Sequence, residues 1–151
     1  IYTVEEFMKA RECLEKGYRH RLIIVGSPAF KNSVKEILTL IRIAGYYDFL
    51  RTYIRRITEI DGLSQLREAE ATIWLNTYIV KDIVEGARFI VQKTEQMKDY
   101  LAGKQYYEKG ELSAIKKSVE FLQSLKGKRM DEGLRRKCEE VLKLWTEERV
   151  L

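Results

Sequence analysis

Residues 71–80 read Ala71-Thr72-Ile73-Trp74-Leu75-Asn76-Thr77-Tyr78-Ile79-Val80, and the fold class turns on whether they coil or extend. As the end of a longer helix they follow Leu63, Leu66, Ala69 and Ile73, whose spacings of three and four put them on one helical face. Taken alone they are rich in β-branched and aromatic side chains, the types that suit a pleated surface. Leu22-Ile23-Ile24-Val25-Gly26 poses the same question just ahead of a helix start. Periodicity cannot assign so short an apolar run, and the surroundings must decide.

The surroundings favour helices. One proline in 151 residues leaves long stretches free to coil. Thr3-Val4-Glu5-Glu6 has capping-box spacing, and Gly17 suits a helix C-terminus. Ser27-Pro28 is an N-cap followed by proline at the first helical position, and the segment it opens carries Val34, Ile37, Leu38 and Ile41 to Gly45. Tyr46, Leu50, Tyr53, Ile57 and Ile60 continue in steps of four and three, which predicts a further helix up to Asp61-Gly62. Asp82 caps a segment striped with Val84, Ala87, Ile90, Val91, Met97 and Leu101 and closed by Gly103. Leu112, Ile115, Val119, Leu122 and Leu125 define another, ended by Gly127. Asp131 opens the last, with Leu134, Cys138, Val141, Leu142 and Trp145 turned inward. The expectation is an all-α fold, an antiparallel multi-helix bundle of about six to seven helices, forming a single helical domain over residues 1–151. The alternative is an α/β fold with a small sheet built from 22–26 and 72–80.

Composition narrows the class of protein. The chain is 45% hydrophobic and 34% charged, too apolar for disorder, and no run of apolar residues is long enough to span a membrane. Glu5, Glu6 and Lys9 interrupt any secretory h-region. The net charge of +5 is spread along the chain, with 11 Lys and Arg against 8 Asp and Glu in residues 1–62 and 17 against 15 in residues 63–151. It permits an acidic partner without requiring one. Eighteen Glu and 15 Lys beside only 2 Asn and 5 Gln is the balance expected of a heat-adapted protein. Cys13 and Cys138 are too few for a disulfide framework or a cysteine zinc site; they read as buried thiols in a reducing cytosol, hence a cytoplasmic protein.

Little catalytic chemistry is on offer, and no cofactor or metal is called for. His20 is the only histidine, so a two-histidine zinc site cannot form within one chain. Among Tyr18, Arg19 and Arg21 it reads as an exposed turn residue whose protonation the cations discourage; the sharper role is a general base or an RNA contact. Glu12/Glu15, Asp82/Glu85 and Glu108/Glu111 have the spacing of helical magnesium ligands, but solvated surface charge explains them as well. Gly26-Ser27-Pro28 offers free helix-terminal amides to a phosphate, although helix capping also accounts for it.

Two basic clusters are the candidate anion or nucleic-acid contacts. Arg51, Arg55 and Arg56 share a segment with Tyr46, Tyr47, Phe49 and Tyr53, and Arg51 and Arg55 would lie one helical turn apart. Lys126, Lys128 and Arg129 precede Arg135, Arg136 and Lys137, with only Asp131 and Glu132 against them. The leading functional expectation is a non-enzymatic helical domain for protein interaction or assembly, binding a protein partner or itself. A nucleic-acid-binding module using 51–56 and 126–137 ranks next, followed by a small phosphate-handling enzyme.

Overall fold

The computed structural model describes residues 3–104 and 109–148. Thr3 closes the capping box of α1 (Val4–Glu15): its Oγ1 accepts the Glu6 N–H at 3.1 Å, and its own N–H donates to Glu6 Oε1 at 3.2 Å. A short strand, β1 (Ile23–Val25), leads to α2 (Pro28–Ile43), whose cap Ser27 accepts the Phe30 N–H. Helix α3 (Tyr47–Tyr53) ends early, because Ile54 is already extended at φ −114°, ψ 128°. The chain then forms β2 (Arg56–Ile60), β3 (Gln65–Arg67), a 3-10 turn at Glu68–Glu70 and β4 (Thr72–Asn76). Helices α4 (Thr77–Lys81), α5 (Ile83–Leu101), α6 (Lys109–Lys126) and α7 (Glu132–Lys143) follow, with a π-helical turn at Leu144–Glu148.

The strands form one sheet in the order β1-β2-β4-β3. The first three run parallel, and β3 returns antiparallel on β4. The protein is therefore α/β, and the all-α bundle expected from the sequence is overturned. Strands fall at 23–25 and within 72–80, where the sequence admitted them, but 77–81 coils into α4 once Asn76 caps it. The larger departure is 56–60, expected as helix. Ile57 and Ile60 are three apart and fit a helical stripe, yet Ile54, Ile57, Thr58 and Ile60 are all β-branched and stiff at χ1. Packing beside β4 buries Ile57 completely, and that tertiary contact settles the competition.

Side chains alternate across a sheet, so the register divides it into two faces. Ile24, Ile57, Ile73 and Leu66 align on the inner face; Ile57 and Ile73 are fully buried, with α2 and α5 packed over the core they belong to. Helix α5 is the central rod, packing on α2, α3, α4, α6 and α7. Arg88, on α5, is the bulkiest fully buried side chain among the described residues. Its guanidinium donates to Glu85 (2.7 and 2.9 Å), Gln92 (2.6 Å) and Ser118 (3.1 Å) and lies 3.6 Å from the Trp145 ring centroid. Trp145 Nε1 donates to the other Glu85 oxygen at 3.2 Å, so one charge pair fastens α5, α6 and the C-terminal turn together. A charge this deep is tolerable only with its partner and hydrogen bonds in place.

Candidate binding surfaces

The outer face of the sheet is open toward β1, although Thr72 in its middle is buried. One row across it reads Ile23, Arg56, Thr72 and Arg67, and the next Val25, Thr58, Trp74 and Gln65. Ile23 and Val25 are 44% and 43% exposed, and Arg56, Thr58 and Trp74 are half-buried. Arg67 lies 4.4 Å over the Trp74 ring, shielding that indole from above. Among the described residues nothing comparable shields Ile23 and Val25.

Strand β1 is also a bare edge. The Ile23 N–H donates to Arg55 O of the neighbouring chain segment, so Ile23 faces β2 with its backbone. Alternation then turns the N–H and C=O of Ile24, and those of Leu22 and Gly26, away from the sheet. Natural edges are usually blunted by shortness, charge, proline or a bulge, and Ile23-Ile24-Val25, though short, carries no charge, proline or bulge. The opposite edge, β3, carries Arg67 and is pinned at its approach: Asn76 takes up Ser64 Oγ with its N–H at 2.7 Å and donates from Nδ2 to the carbonyls of Asp61 and Gly62.

A second feature lies at the other end of the strands, under α1. Two adjoining cavities share a wall made by Ala10, His20 and Ala71. One, about 340 Å³, opens broadly to solvent and has Lys9, Arg55 and Glu70 on its sides. The other, about 250 Å³, is mostly apolar, with Leu14, Tyr18, Tyr53, Met97 and Leu101. His20 is held by its backbone, its N–H donating to Arg51 O at 2.8 Å and its carbonyl accepting Arg51 Nε at 2.9 Å. Tyr18 meets the imidazole edge-on at 5.1 Å. Burial, aided by the positive charge of Arg55, lowers the His20 pKa below its ordinary value and keeps the ring neutral. His20 is thus a half-buried wall residue and not the exposed turn residue the sequence suggested. Ala71 has φ +51°, the only positive φ outside glycine among the described residues. That strain is repaid locally, since its carbonyl takes the Arg55 N–H at 2.8 Å.

The basic clusters do not assemble as the sequence led us to expect. Arg51 and Arg55 are not one helical turn apart, because α3 ends at Tyr53 between them. Arg51 is spent on the His20 carbonyl, Arg55 lines the larger of the two cavities, and Arg56 lies on the outer sheet face with its Nε buried and lacking an acceptor. In the second cluster Arg135 donates to the carbonyls of Lys126 and Lys128 at 3.1 and 3.4 Å, where it serves the negative end of α6. Lys137 pairs with Asp82 at 3.1 Å and Glu140 at 3.7 Å, and the hydrogen bond it donates to Asp82 raises its pKa. Lys128, Arg129 and Arg136 are exposed.

The carboxylate pairs also go to structural work. Glu12 pairs with Lys16, Asp82 caps α5, and Glu85 holds Arg88; Glu108 lies outside the described residues. At Gly26-Ser27 the amide that would meet a phosphate is already taken, for the Ser27 N–H donates to Glu59 Oε1 at 2.9 Å. A second anion there would face that carboxylate. A Cβ on Gly26 would fall 2.6 Å from Phe30 and 2.8 Å from Glu59, so close packing explains this glycine. Of the two thiols expected to be buried, Cys138 is, and its burial raises its pKa, whereas Cys13 is exposed. No helix among the described residues is long and apolar enough to cross a membrane.

No protein-family model matches the chain, and no curated protein or solved structure matches it either.

Proposed function

We propose that this protein works by binding, as an assembly module whose sheet is continued at β1 by the β1 of a second copy. The observation that carries the reading is the unguarded edge Ile23-Ile24-Val25, with Ile23 and Val25 exposed on an open face. Strand addition satisfies edge backbone groups and takes its specificity from the alternating side chains.

The edge is self-complementary. Antiparallel pairing about a two-fold axis at Ile24 sets Ile24 opposite its copy as a hydrogen-bonded pair, using the N–H and C=O that point away from β2. Leu22 then faces Gly26 of the second copy in the next hydrogen-bonded pair. Ile23 faces Val25 in the closer, non-hydrogen-bonded pair, so the exposed β-branched residues cover one another on the outer face. Arg21 meets Ser27, and no like charges come together. A two-fold contact of this kind closes after two copies. Pairing over residues 22–26 is short, so the association belongs to the weak, concentration-dependent class.

Light scattering across a dilution series tests the proposal. The expected result is a monomer–dimer equilibrium that Val25→Lys shifts to monomer. A wild type that stays monomeric at every concentration contradicts the proposal, and so does a dimer that Val25→Lys leaves unchanged.

A further inference from the structure

The adjoining cavities under α1 have the form of a small-molecule site, an apolar slot opening into a larger chamber with a few convergent charged groups. Such sites typically measure about 300–1,000 Å³, and the two chambers together fall in that range. Their common wall is already rigid. His20 is fixed through both backbone groups to Arg51, and Ala71 is held in the left-handed region with its carbonyl on the Arg55 N–H. A wall set in place beforehand spares a ligand the cost of ordering it.

The larger chamber carries both signs of charge. Glu6 is committed to the cap of α1, where its carboxylate accepts the Thr3 N–H. The side chains of Arg55 and Glu70, by contrast, have no hydrogen-bond or ion-pair partner among the described residues, and Lys9 adds a second cation on the α1 side. The neutral imidazole of His20 stands at the seam with one N–H to donate and one nitrogen to accept. Beyond it the slot is walled by Leu14, Tyr53, Met97 and Leu101 and takes an apolar group of about benzyl size.

We infer that the paired chambers bind a free α-amino acid with a large apolar side chain, its carboxylate on Arg55, its ammonium on Glu70 and its side chain in the apolar slot. A fatty or aromatic acid would set its carboxylate against Glu70 with Lys9 as the one counter-charge left in the chamber. An apolar amine would leave Arg55 without an anion. A head group bearing both charges answers both at once, and this site makes no use of the β1 edge.

The chain's single histidine is the reporter, because its ring signals in a long-range ¹H–¹⁵N NMR spectrum need no assignment. Three probes are titrated: L-phenylalanine, 3-phenylpropionate, which lacks the ammonium, and 2-phenylethylamine, which lacks the carboxylate. L-Phenylalanine is expected to move the His20 signals saturably, and each analogue to bind about tenfold more weakly or worse, the loss of one charged hydrogen bond. Glu70→Gln should weaken L-phenylalanine while binding 3-phenylpropionate as well as wild type or better, and Arg55→Gln should weaken it while binding 2-phenylethylamine as well as wild type or better. Both side chains are exposed, so both variants should fold. Equal binding of all three probes would reduce the site to an apolar slot and overturn the assignment. So would silence of the His20 signals toward L-phenylalanine at millimolar concentration.

Discussion

The two edges of the sheet are each three residues long, yet they present opposite surfaces. At β3 the approach is tied to Asn76 through Ser64 and the Asp61-Gly62 turn, and Arg67 sets a charge over Trp74. At β1 three branched aliphatic residues stand in a row with their outer side chains exposed. A charged, anchored edge repels a further strand, and a bare one invites it. The contrast teaches that the two edges are finished differently, and the proposed strand addition places growth of the sheet at β1 alone.

Both edges hang on the centre they share, and the largest expected effect lies there. Ile73 is fully buried on β4, between Ile57 of β2 and Leu66 of β3. Ile73→Ala should cost about 2–5 kcal/mol in denaturant unfolding. Trp74→Ala, the next residue on the open face, should cost distinctly less although indole is the larger side chain. Equal losses would mean that the outer face is covered. Next in size is the edge itself: Val25→Lys should weaken self-association about tenfold or more, or ~1.4 kcal/mol. The reciprocal change sharpens the comparison. Arg67→Val strips β3 of its charge and should add a second mode of association, seen as species beyond the dimer in sedimentation velocity.

The two approaches to the edges give smaller effects. The chain reaches β1 by way of His20, whose folded pKa is lowered by burial and by Arg55 from the ordinary 6.5. Below that ordinary value the unfolded chain takes a proton that the folded chain resists. Stability should therefore fall as pH drops beneath 6.5 and level off under the folded pKa. Thermal melts of wild type and His20→Gln across that window should diverge, with the variant losing less on acidification. The chain leaves β3 through Ala71, and Ala71→Gly relieves a left-handed residue worth about 1–2 kcal/mol while adding about 0.4–1 kcal/mol of unfolded-chain freedom. Because the buried Ala71 methyl is lost as well, at about 0.8 kcal/mol, the melting temperature should barely move, and a clear loss would show that the bend carries little strain.

The helix boundaries were largely written in the sequence. Thr3, Ser27, Asp82 and Asp131 each cap where a cap was expected, and Gly45 and Gly103 end their helices at positive φ. These signals are local, involving side chains three or four residues from the amides they satisfy. The sheet was not local. Ile57 satisfies a helical spacing and a strand equally well, and only its pairing with Ile73, far along the chain, selects the strand. Missing β2 also misplaced the candidate site, since a continuous helix would have set Arg51 and Arg55 on one face. In the fold Arg51 turns to the His20 carbonyl, while Arg55 meets His20, Glu70 and Ala71 across a cavity. Arg88 was silent for a related reason: nothing in its local sequence marks it, and its burial depends on Ser118 and Trp145 arriving from other elements.

Hydrogen exchange at the Ile24 amide tests the account most directly, because that N–H points away from β2 and is the one a second copy would capture. Its exchange should slow as protein concentration rises through the dimerisation range and return to the fast, monomeric rate in Val25→Lys. An Ile24 amide that exchanges equally fast at every concentration, even while a dimer forms, would contradict the account and place the contact on another surface.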